Sequence, residues 1–259
     1  ATFASVLKAH ADHVCVLDLF GSKPRRLSDA GDHYLQGTPF EEVAPGATVR
    51  EAEAFVIYAI SYMSHGEILG LIRKLKASRP GVPVLVLENS QAVTAYSLPR
   101  LAEPMLAAGA DGLICGEPHF NWPEIKGWLT TVGTKPPANV VTSSHRRPPV
   151  RVISKGASYP VPAWDLFPLE GYWSLPYSHG PKTRRFLPVL TSRGCPYPCD
   201  FCVVPETNDR RWRGNSPVEV VDEIITLRNR FDVRDFQIED LNPTTNHERF
   251  EEICRLLVE

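Results

Sequence analysis

Three of the six cysteines lie within eight residues, in the stretch RGCPYPCDFC, at positions Cys195, Cys199 and Cys202. An apolar run precedes them and two prolines separate them, so the stretch is predicted to be a loop that leaves a strand. Thiolates this close together are typical of a metal centre. No other feature of the chain restricts its structure as strongly.

The number of clustered cysteines distinguishes between two kinds of metal centre. A structural zinc site usually completes four nitrogen or sulfur ligands, often from two C-x-x-C pairs. No second pair occurs here, and His179 and His247 are distant in sequence. A cubane iron–sulfur cluster has four irons and accepts thiolate ligands, so three thiolates leave one iron open. The spacing favours a [4Fe-4S] cluster with a vacant coordination position, and zinc stays as the alternative.

Composition limits the classes of protein that the chain can represent. The 259 residues are 43% hydrophobic and 22% charged with a net charge of −2, which is typical of one large or two modest globular domains. This charge gives no indication of nucleic acid binding, and no apolar run predicts a membrane span or a secretory leader. Cys15, Cys115 and Cys254 lie in apolar segments, where a buried thiol is the default. We therefore expect no disulfide framework and a reducing, cytoplasmic location.

The first half alternates between apolar runs and amphipathic stretches. A capping box of Ser64 and Glu67 is predicted to begin one helix, and a second helix is predicted over 97–109, with a break at Pro104 and its end at Gly109. This alternation predicts a doubly wound α/β domain over residues 1–135. Four apolar runs are predicted to be buried strands of its parallel sheet: 13–20, 54–60, 82–88 and 111–116.

Ligands of such folds bind at the carboxyl ends of the strands. The loops 18–22, 61–66, 88–94 and 115–120 are therefore candidate binding loops, although ordinary turn chemistry is the favoured explanation for any one of their polar residues. No G-x-G-x-x-G motif follows the first strand, which disfavours a dinucleotide.

Residues 136–185 are rich in proline and lack helical periodicity, which indicates a connector. The segment is also rich in aromatic residues, unlike a free linker. A strap packed across both domains is the favoured interpretation, and an aromatic wall facing a substrate is the alternative. The aromatic residues are Tyr159, Trp164, Phe167, Tyr172, Trp173 and Tyr177.

The last segment, residues 186–259, has the order strand, cysteine loop, helix, strand, helix. The helix over 216–231 is predicted to begin with a capping box of Ser216 and Glu219. This order predicts the opening of a parallel (β/α) barrel, whose chemistry lies at the carboxyl ends of the strands. The strands are predicted at 186–192 and 233–240, and the final helix over 246–259 is predicted to turn Phe250, Ile253, Cys254 and Leu257 inward.

The C-x-x-x-C-x-x-C pattern, with an aromatic residue before the last cysteine, resembles the motif of the radical S-adenosylmethionine enzymes. The resemblance implies that Cys195, Cys199 and Cys202 ligate a [4Fe-4S] cluster whose open iron binds the amino and carboxylate groups of S-adenosylmethionine. One electron, supplied by a flavodoxin- or ferredoxin-like donor, then gives a 5′-deoxyadenosyl radical. The S-adenosylmethionine contacts implied are Phe201, Glu239, Asp240 and either Arg211 or Arg213, with solvated surface charge as the alternative for each arginine.

The stretch GADGLICGEPHFNWPEI, residues 109–125, is similar to the end of the Rossmann-like cobalamin-binding domain that precedes many of these enzymes. The Asp-x-His-x-x-Gly motif of other cobalamin proteins is absent. Glu88 and Asn89 also replace the glycine pair expected after the third apolar run, which argues against phosphate or corrin contacts there. The cobalamin contacts implied by the resemblance are Ser61, Met63, Asn89, Ser90, Gly116 and Glu117.

Together these features predict a cobalamin-dependent radical S-adenosylmethionine enzyme that transfers a methyl group to an unactivated carbon of a small molecule. A radical S-adenosylmethionine enzyme without cobalamin, with ring or other radical chemistry, is one alternative. A metal-stabilised binding module without activity is another. Only two strand–helix units of the barrel are present, so the chain is expected to be truncated within the barrel and could carry the cofactors without turnover. No residue is predicted to be catalytic.

Overall fold

The computed structural model describes residues 1–10, 13–146, 151, 159–176 and 185–259. The chain divides into two compact units, each built from separate segments. The sheet unit comprises Glu51–Ala157 and Ser192–Gly214. The second unit comprises Ala1–Arg50, Ser158–Thr191 and Asn215–Glu259, and we call it the β7 unit after a strand that it contains. The segments 1–135, 136–185 and 186–259 drawn from the sequence stay a prediction.

The secondary structure elements follow one another in short segments. The helices are α1 Thr2–His10, α2 Leu19–Ser22, α3 Phe40–Val43, α4 Ala47–Arg50, α5 His65–Ser78, α6 Ala102–Ala107, α7 Trp122–Thr130, α8 Leu169–Trp173, α9 Val204–Thr207, α10 Pro217–Phe231 and α11 His247–Val258. The strands are β1 Leu27–Asp29, β2 Tyr34–Gln36, β3 Phe55–Ala59, β4 Val84–Glu88, β5 Gly112–Ile114, β6 Val140–Val141, β7 Phe186–Val189, β8 Ser192–Arg193, β9 Arg213–Gly214 and β10 Asp235–Ile238. Single 3-10 turns cover Tyr62–Ser64, Leu98–Leu101, Pro118–Phe120, Trp164–Leu166 and Pro243–Thr245.

The sheet unit is built on a four-stranded sheet in the order β3-β4-β5-β6. The first three strands are parallel and β6 is antiparallel to β5. All five residues of β4 are buried, as expected for the apolar run VLVLE in the middle of a parallel sheet. The runs 54–60, 82–88 and 111–116 are thus confirmed as strands, and the α/β fold class is confirmed with them. One row across the sheet joins Ile57, Val86, Leu113 and Val141.

The helices of the sheet unit agree with the sequence in position but not in every cap. Helix α5 buries Ile68, Ile72 and Leu75, as its periodicity predicts. The predicted capping box is wrong, because the Ser64 side chain accepts no capping hydrogen bond. The hydroxyl of Ser61 instead accepts a hydrogen bond from the Met63 amide and begins the 3-10 turn that leads into α5.

The second predicted helix of the sheet unit is divided. A 3-10 turn precedes α6, and Pro104 lies in the first turn of α6, where its missing N–H is tolerated. Gly109 follows the helix with φ of +109°, the left-handed conformation that ends a helix.

The predicted first strand, residues 13–20, is wrong. Residues 13–18 form no regular element, and Leu19 and Phe20 belong to the short helix α2. The Asp18 carboxylate accepts a hydrogen bond from the Gly21 amide at 2.7 Å and also one from the Tyr172 hydroxyl at 2.6 Å. These partners favour a helix start over an extended chain. The loop 18–22 therefore does not end a strand of the sheet.

The β7 unit has its core where α8, β7, α10, β10 and α11 meet. Strand β10 pairs with β7 in parallel, as the strand–helix–strand order predicts. The Ser216 and Glu219 capping box at the start of α10 is confirmed. Trp173 lies in this core, and its indole N–H donates to the Phe186 carbonyl at 2.7 Å. The other buried core residues are Leu187, Val189, Val220, Ile224, Leu227, Val233 and Ile253.

Two of the three isolated cysteines differ from expectation. Cys115 is buried, as predicted, whereas Cys15 and Cys254 are exposed. Helix α11 buries only Ile253 completely, and Cys254 lies one residue further, which turns it about 100° away from the core. Leu257 is exposed too, so the inward stripe predicted for this helix is too wide. Tyr177 and His179 lie outside the described residues.

No helix in the described part of the chain is long and apolar enough to cross a membrane.

Candidate functional site

The clustered cysteines lie on a closed loop of the sheet unit. Strands β8 and β9 pair in an antiparallel ladder, with Ser192 opposite Gly214 and Arg193 opposite Arg213. We call residues 194–212, which this ladder encloses, the cysteine loop. Gly194 begins it with φ of +73°, and a Cβ atom at this position would lie 2.1 Å from the Arg211 carbonyl oxygen. The loop can therefore close only with glycine at its first position.

The cysteine loop presents three free thiols. Cys195 and Cys202 are half-buried and Cys199 is exposed. The Cys202 amide donates to the Cys199 carbonyl at 3.1 Å, which forms a tight turn between the second and third thiols. No group of three histidine, cysteine, aspartate or glutamate side chains among the described residues converges on a metal position. The donor set itself fits a thiolate-ligated cluster, because three free thiols share one short loop and none is buried in the core.

A buried ion pair joins the end of the cysteine loop to the loop after β5. The Arg213 guanidinium lies 3.0 Å from the Glu117 carboxylate, and the side chains are 6% and 4% exposed. The same guanidinium donates to the Asn208 side-chain oxygen and to the Arg211 carbonyl, both at 2.9 Å. Solvated surface charge, the alternative offered for these arginines, is therefore wrong for Arg213. Arg211 is exposed, as that alternative requires.

The loop after β4 contacts both ends of the cysteine loop. The Gln91 side-chain oxygen accepts a hydrogen bond from the Gly194 amide at 3.1 Å. The Gln91 side-chain nitrogen donates to the Asn208 oxygen at 3.3 Å, and the Asn208 nitrogen donates to the Ser90 carbonyl at 2.6 Å. Asn208 is completely buried.

Glu88 occupies the position where the resemblance led us to expect a glycine. Its carboxylate is buried and accepts hydrogen bonds from the Leu98 amide at 3.1 Å and the Gly116 amide at 2.9 Å. Arg151 lies 3.1 Å from it and neutralises its charge. Glu88 thus joins the loops after β4 and β5 within the protein. Burial and the Glu88 charge raise the pKa of the Cys115 thiol, so this cysteine stays protonated.

The residues predicted to contact cobalamin lie in the loops that follow β3, β4 and β5. The Asn89 side chain joins two of these loops. Its nitrogen donates to the Ile60 carbonyl at 2.8 Å, and its oxygen accepts from the Gln91 backbone amide at 2.9 Å. The Ser61 hydroxyl donates to the Thr94 carbonyl at 3.1 Å, whereas the Met63 side chain is exposed. Ser90, Gly116 and Glu117 are buried. Their proposed contacts with cobalamin stay predictions.

The residues predicted to contact S-adenosylmethionine are distributed over two elements. Phe201 lies on the cysteine loop with its ring exposed. Glu239 and Asp240 follow β10 in the β7 unit. The Glu239 amide donates to the Val189 carbonyl at 3.0 Å, and the Asp240 carboxylate accepts from the Thr191 amide and hydroxyl, both at 2.6 Å. The Asp240 carboxylate thus fixes Thr191, the last residue of the β7 unit before the segment that carries the cysteines. The role of Asp240 toward a ligand stays a prediction.

Several residues of the site have no signal in the sequence. Gln91 and Asn208 are separated from their partners by about a hundred positions, and no local pattern distinguishes them from turn residues. Arg249 on α11 was missed as well. Its guanidinium donates to the carbonyls of Thr191 and Asn215. These two residues of the β7 unit flank the segment that carries the cysteines.

One histidine of the loop after β5 is electrostatically unusual. Burial, together with the positive charge of Arg193, lowers the pKa of His119 to about 4. His119 is therefore neutral at physiological pH.

The described part of the chain combines a mostly parallel α/β sheet with a strand, a three-cysteine loop and a helix. The structure is similar to TsrM from Kitasatospora setae, a radical S-adenosylmethionine methyltransferase solved with tryptophan substrate and an S-adenosylmethionine analog, with a TM-score of 0.61 and 15% identity. The match covers 99% of this chain and 47% of that chain. A second TsrM structure, with cobalamin and a [4Fe-4S] cluster bound, matches with the same TM-score and 16% identity. These matches confirm the fold.

Curated relatives match part of the chain. An uncharacterized methyltransferase from Pyrococcus horikoshii is 31% identical over 102 residues, which are 39% of this chain and 21% of the relative. The cytidylyl-2-hydroxyethylphosphonate methyltransferase of Streptomyces wedmorensis is 32% identical over 102 residues, 39% of this chain and 19% of that protein. The anaerobic magnesium-protoporphyrin IX monomethyl ester cyclase of Rubrivivax gelatinosus is 29% identical over 125 residues, 47% and 20% of the two chains. Each match spans about a fifth of the relative, and no family model matches the chain.

The resemblance to radical S-adenosylmethionine methyltransferases predicted from the sequence is confirmed by these relatives.

Proposed function

We propose that the protein is a cobalamin-dependent radical S-adenosylmethionine enzyme that transfers a methyl group to an unactivated carbon of a small molecule. The observation that carries the proposal is the cysteine loop, with three free thiols after β8, in a chain whose fold matches TsrM over 99% of its length. TsrM is a methyltransferase with a tryptophan substrate. The substrate of this protein is proposed only as a small molecule.

The residues of the chain divide into two proposed binding sets. Cys195, Cys199 and Cys202 would hold a [4Fe-4S] cluster, with Phe201, Arg211, Glu239 and Asp240 toward S-adenosylmethionine. Arg213 fits that second role less well, because its guanidinium already binds Glu117 and Asn208. The loops after β3, β4 and β5 would hold cobalamin through Ser61, Met63, Asn89, Ser90, Gly116 and Glu117. When bound, these groups supply reductive cleavage of S-adenosylmethionine and a methyl carrier.

Three parts of the chain have roles that need no cofactor. Gly194 and the ladder of β8 and β9 close the cysteine loop. Glu88 fixes the loops after β4 and β5, and the buried Cys115 stays protonated, which argues against its use as a thiolate ligand. A reducing, cytoplasmic location and a flavodoxin- or ferredoxin-like electron donor belong to the same proposal.

A second candidate function is radical ring formation. The match to the cyclase of Rubrivivax gelatinosus supports it, because that match covers more of this chain than either match to a methyltransferase. The two functions would use the same cysteine loop and would differ in the product.

The proposal can be tested by anaerobic reconstitution of the chain with iron, sulfide and hydroxocobalamin, followed by desalting and visible absorption spectroscopy. We expect a broad cluster shoulder and retained corrin bands. Cys199→Ser should lose the shoulder, whereas Cys254→Ser, which alters another exposed cysteine, should keep it. Zinc at equal stoichiometry without iron would refute the cluster and favour a metal-stabilised binding module. A shoulder without corrin bands would refute cobalamin binding by this chain.

Products separate the two enzyme functions. With S-adenosylmethionine labelled at its methyl group, a reductant and a panel of small molecules, methyl transfer should place the label in a product. A radical product without the label would refute methyl transfer and support the second candidate.

A further inference from the structure

A network of polar side chains, three of them buried and Gln91 half-buried, lies between the cysteine loop and the loops after β4 and β5. Its members are Gln91, Glu117, Asn208 and Arg213, and we call this set the loop clamp. All four belong to the sheet unit. Two pairs of them are close in space and about a hundred positions apart in sequence: Gln91 with Asn208, and Glu117 with Arg213.

The clamp holds both ends of the cysteine loop. At the start, Gln91 accepts from the amide of Gly194, the residue directly before Cys195. At the end, Asn208 donates to the Ser90 carbonyl, and Arg213 pairs with Glu117. The position of the first thiol is thus fixed through one hydrogen bond from the loop after β4.

Ordinary turn chemistry does not account for this arrangement. Turn residues bond to their own backbone within a few positions, as Asn89 does with the Gln91 amide. Glu117 and Arg213 are instead buried charges, which are stable only when paired and hydrogen-bonded. The Asn208 oxygen accepts from both Gln91 and Arg213, so the two halves of the clamp share one atom.

We propose that the loop clamp positions the cysteine loop against the loops after β4 and β5, and that Gln91 is its positioning residue for Cys195. The proposal deepens the proposed function, because it joins the thiols proposed for the cluster to loops proposed for cobalamin. Gln91 is not one of the proposed ligand contacts, although its side-chain nitrogen donates to the Ser90 hydroxyl at 3.0 Å. It acts through the Gly194 amide.

The size of the effect follows from the bonds involved. Removing the Gln91 side chain deletes its hydrogen bonds to Gly194, Asn208 and Ser90. Of these, the bond to Gly194 holds the start of the cysteine loop. The loss of one net hydrogen bond changes a local opening equilibrium by about 2- to 10-fold. The cysteine loop of Gln91→Ala should therefore open more often by about that factor.

The first test measures thiol alkylation in the chain without metal or cobalamin, with mass spectrometry resolving each cysteine. Gln91→Ala should raise the alkylation rate of Cys195 by about 2- to 10-fold. Gln91→Glu keeps an oxygen that can accept from Gly194, so its rate should stay nearer to that of the unsubstituted chain. Gln36→Ala is the matched control. This residue donates to the Pro24 carbonyl at 2.5 Å in the β7 unit, and its loss should leave Cys195 unchanged.

Two results of this test would overturn the positioning role. One is an unchanged Cys195 rate in Gln91→Ala. The other is an equal rise at Cys115, the buried thiol at the end of β5, because that would mean the whole sheet unit had opened. Neither result depends on iron or cobalamin, so the test decides the inference even where the proposed function fails.

The second test measures iron bound per chain at limiting iron and sulfide. We expect Gln91→Ala to bind less iron than the unsubstituted chain, Gln91→Glu to recover part of the loss, and Gln36→Ala to match the unsubstituted chain. Equal iron in all four proteins would overturn the link between the clamp and the thiols. An absence of iron from the unsubstituted chain would instead refute the proposed function.

Discussion

Replacing Glu117 by glutamine should destabilise the sheet unit strongly. The change removes the negative charge 3.0 Å from Arg213, whose side chain is 6% exposed. Breaking a buried pair by removing one partner costs about 3–5 kcal/mol, because it leaves an uncompensated buried charge. Arg213 keeps its hydrogen bonds to Asn208 and the Arg211 carbonyl, so we expect a value near the lower end, about 3 kcal/mol.

The assay is urea unfolding followed by circular dichroism, with extrapolation of the free energy of unfolding to water. The matched control is Glu103→Gln, which breaks an exposed pair with Arg146 and should change the free energy by about 1 kcal/mol or less. The double variant Glu117→Leu with Arg213→Met removes both charges. It should be more stable than Glu117→Gln, because no unpaired charge stays buried.

Two outcomes of these unfolding measurements would contradict the prediction. If Glu117→Gln loses no more stability than Glu103→Gln, the pair is solvated in the native protein, and the argument from burial is wrong. If the double variant loses the sum of the losses measured for Glu117→Leu and Arg213→Met separately, Glu117 and Arg213 do not interact energetically, and the loop clamp loses one of its two halves.

Three further predictions concern other parts of the chain. Gly194→Ala should lower the free energy of unfolding by about 2 kcal/mol or more in urea, because alanine is strained at φ of +73° and its Cβ would meet the Arg211 carbonyl. Leu227→Ala in the core of the β7 unit should cost about 2–5 kcal/mol by the same measurement, whereas Ile225→Ala on the exposed face of α10 should cost under about 1 kcal/mol. The pKa of His119 falls from 6.5 to about 4 on folding, so the unfolded chain takes up a proton at a higher pH than the folded protein does. The free energy of unfolding should therefore fall by up to about 3 kcal/mol as the pH drops from 6.5 to 4. Chemical unfolding across this pH range should show a slope that His119→Leu removes.

The sequence predicted the elements whose partners are local or whose patterns are strong. Strand β4 is a continuous apolar run, and α10 carries its own capping box, so both could be predicted without knowledge of distant residues. The cysteine loop was found for the same reason, because its three thiols are neighbours in sequence.

The parts that sequence reasoning missed depend on distant partners. The run 13–20 has the composition of a strand, but the Asp18 carboxylate bonds the Gly21 amide and the Tyr172 hydroxyl, and no local pattern announces the second partner. Arg213 was predicted as an S-adenosylmethionine contact with surface charge as the alternative, and its ion pair was missed because its partner Glu117 lies 96 positions away. The hydrogen bonds of Gln91 to Gly194 and Asn208 in the cysteine loop were hidden by the same kind of separation.

The division of the chain into two compact units has a consequence for how the protein folds. The chain passes from one unit to the other four times, and the 23 residues from Ser192 to Gly214 are an excursion between two segments of the β7 unit. Neither unit corresponds to one continuous stretch, so a single proteolytic cut cannot release either as an intact piece. During synthesis the core of the β7 unit cannot form until α10 and α11 have emerged, and both helices follow the cysteines in the sequence. The three thiols of the sheet unit therefore emerge from the ribosome before the last two helices of the β7 unit can pack.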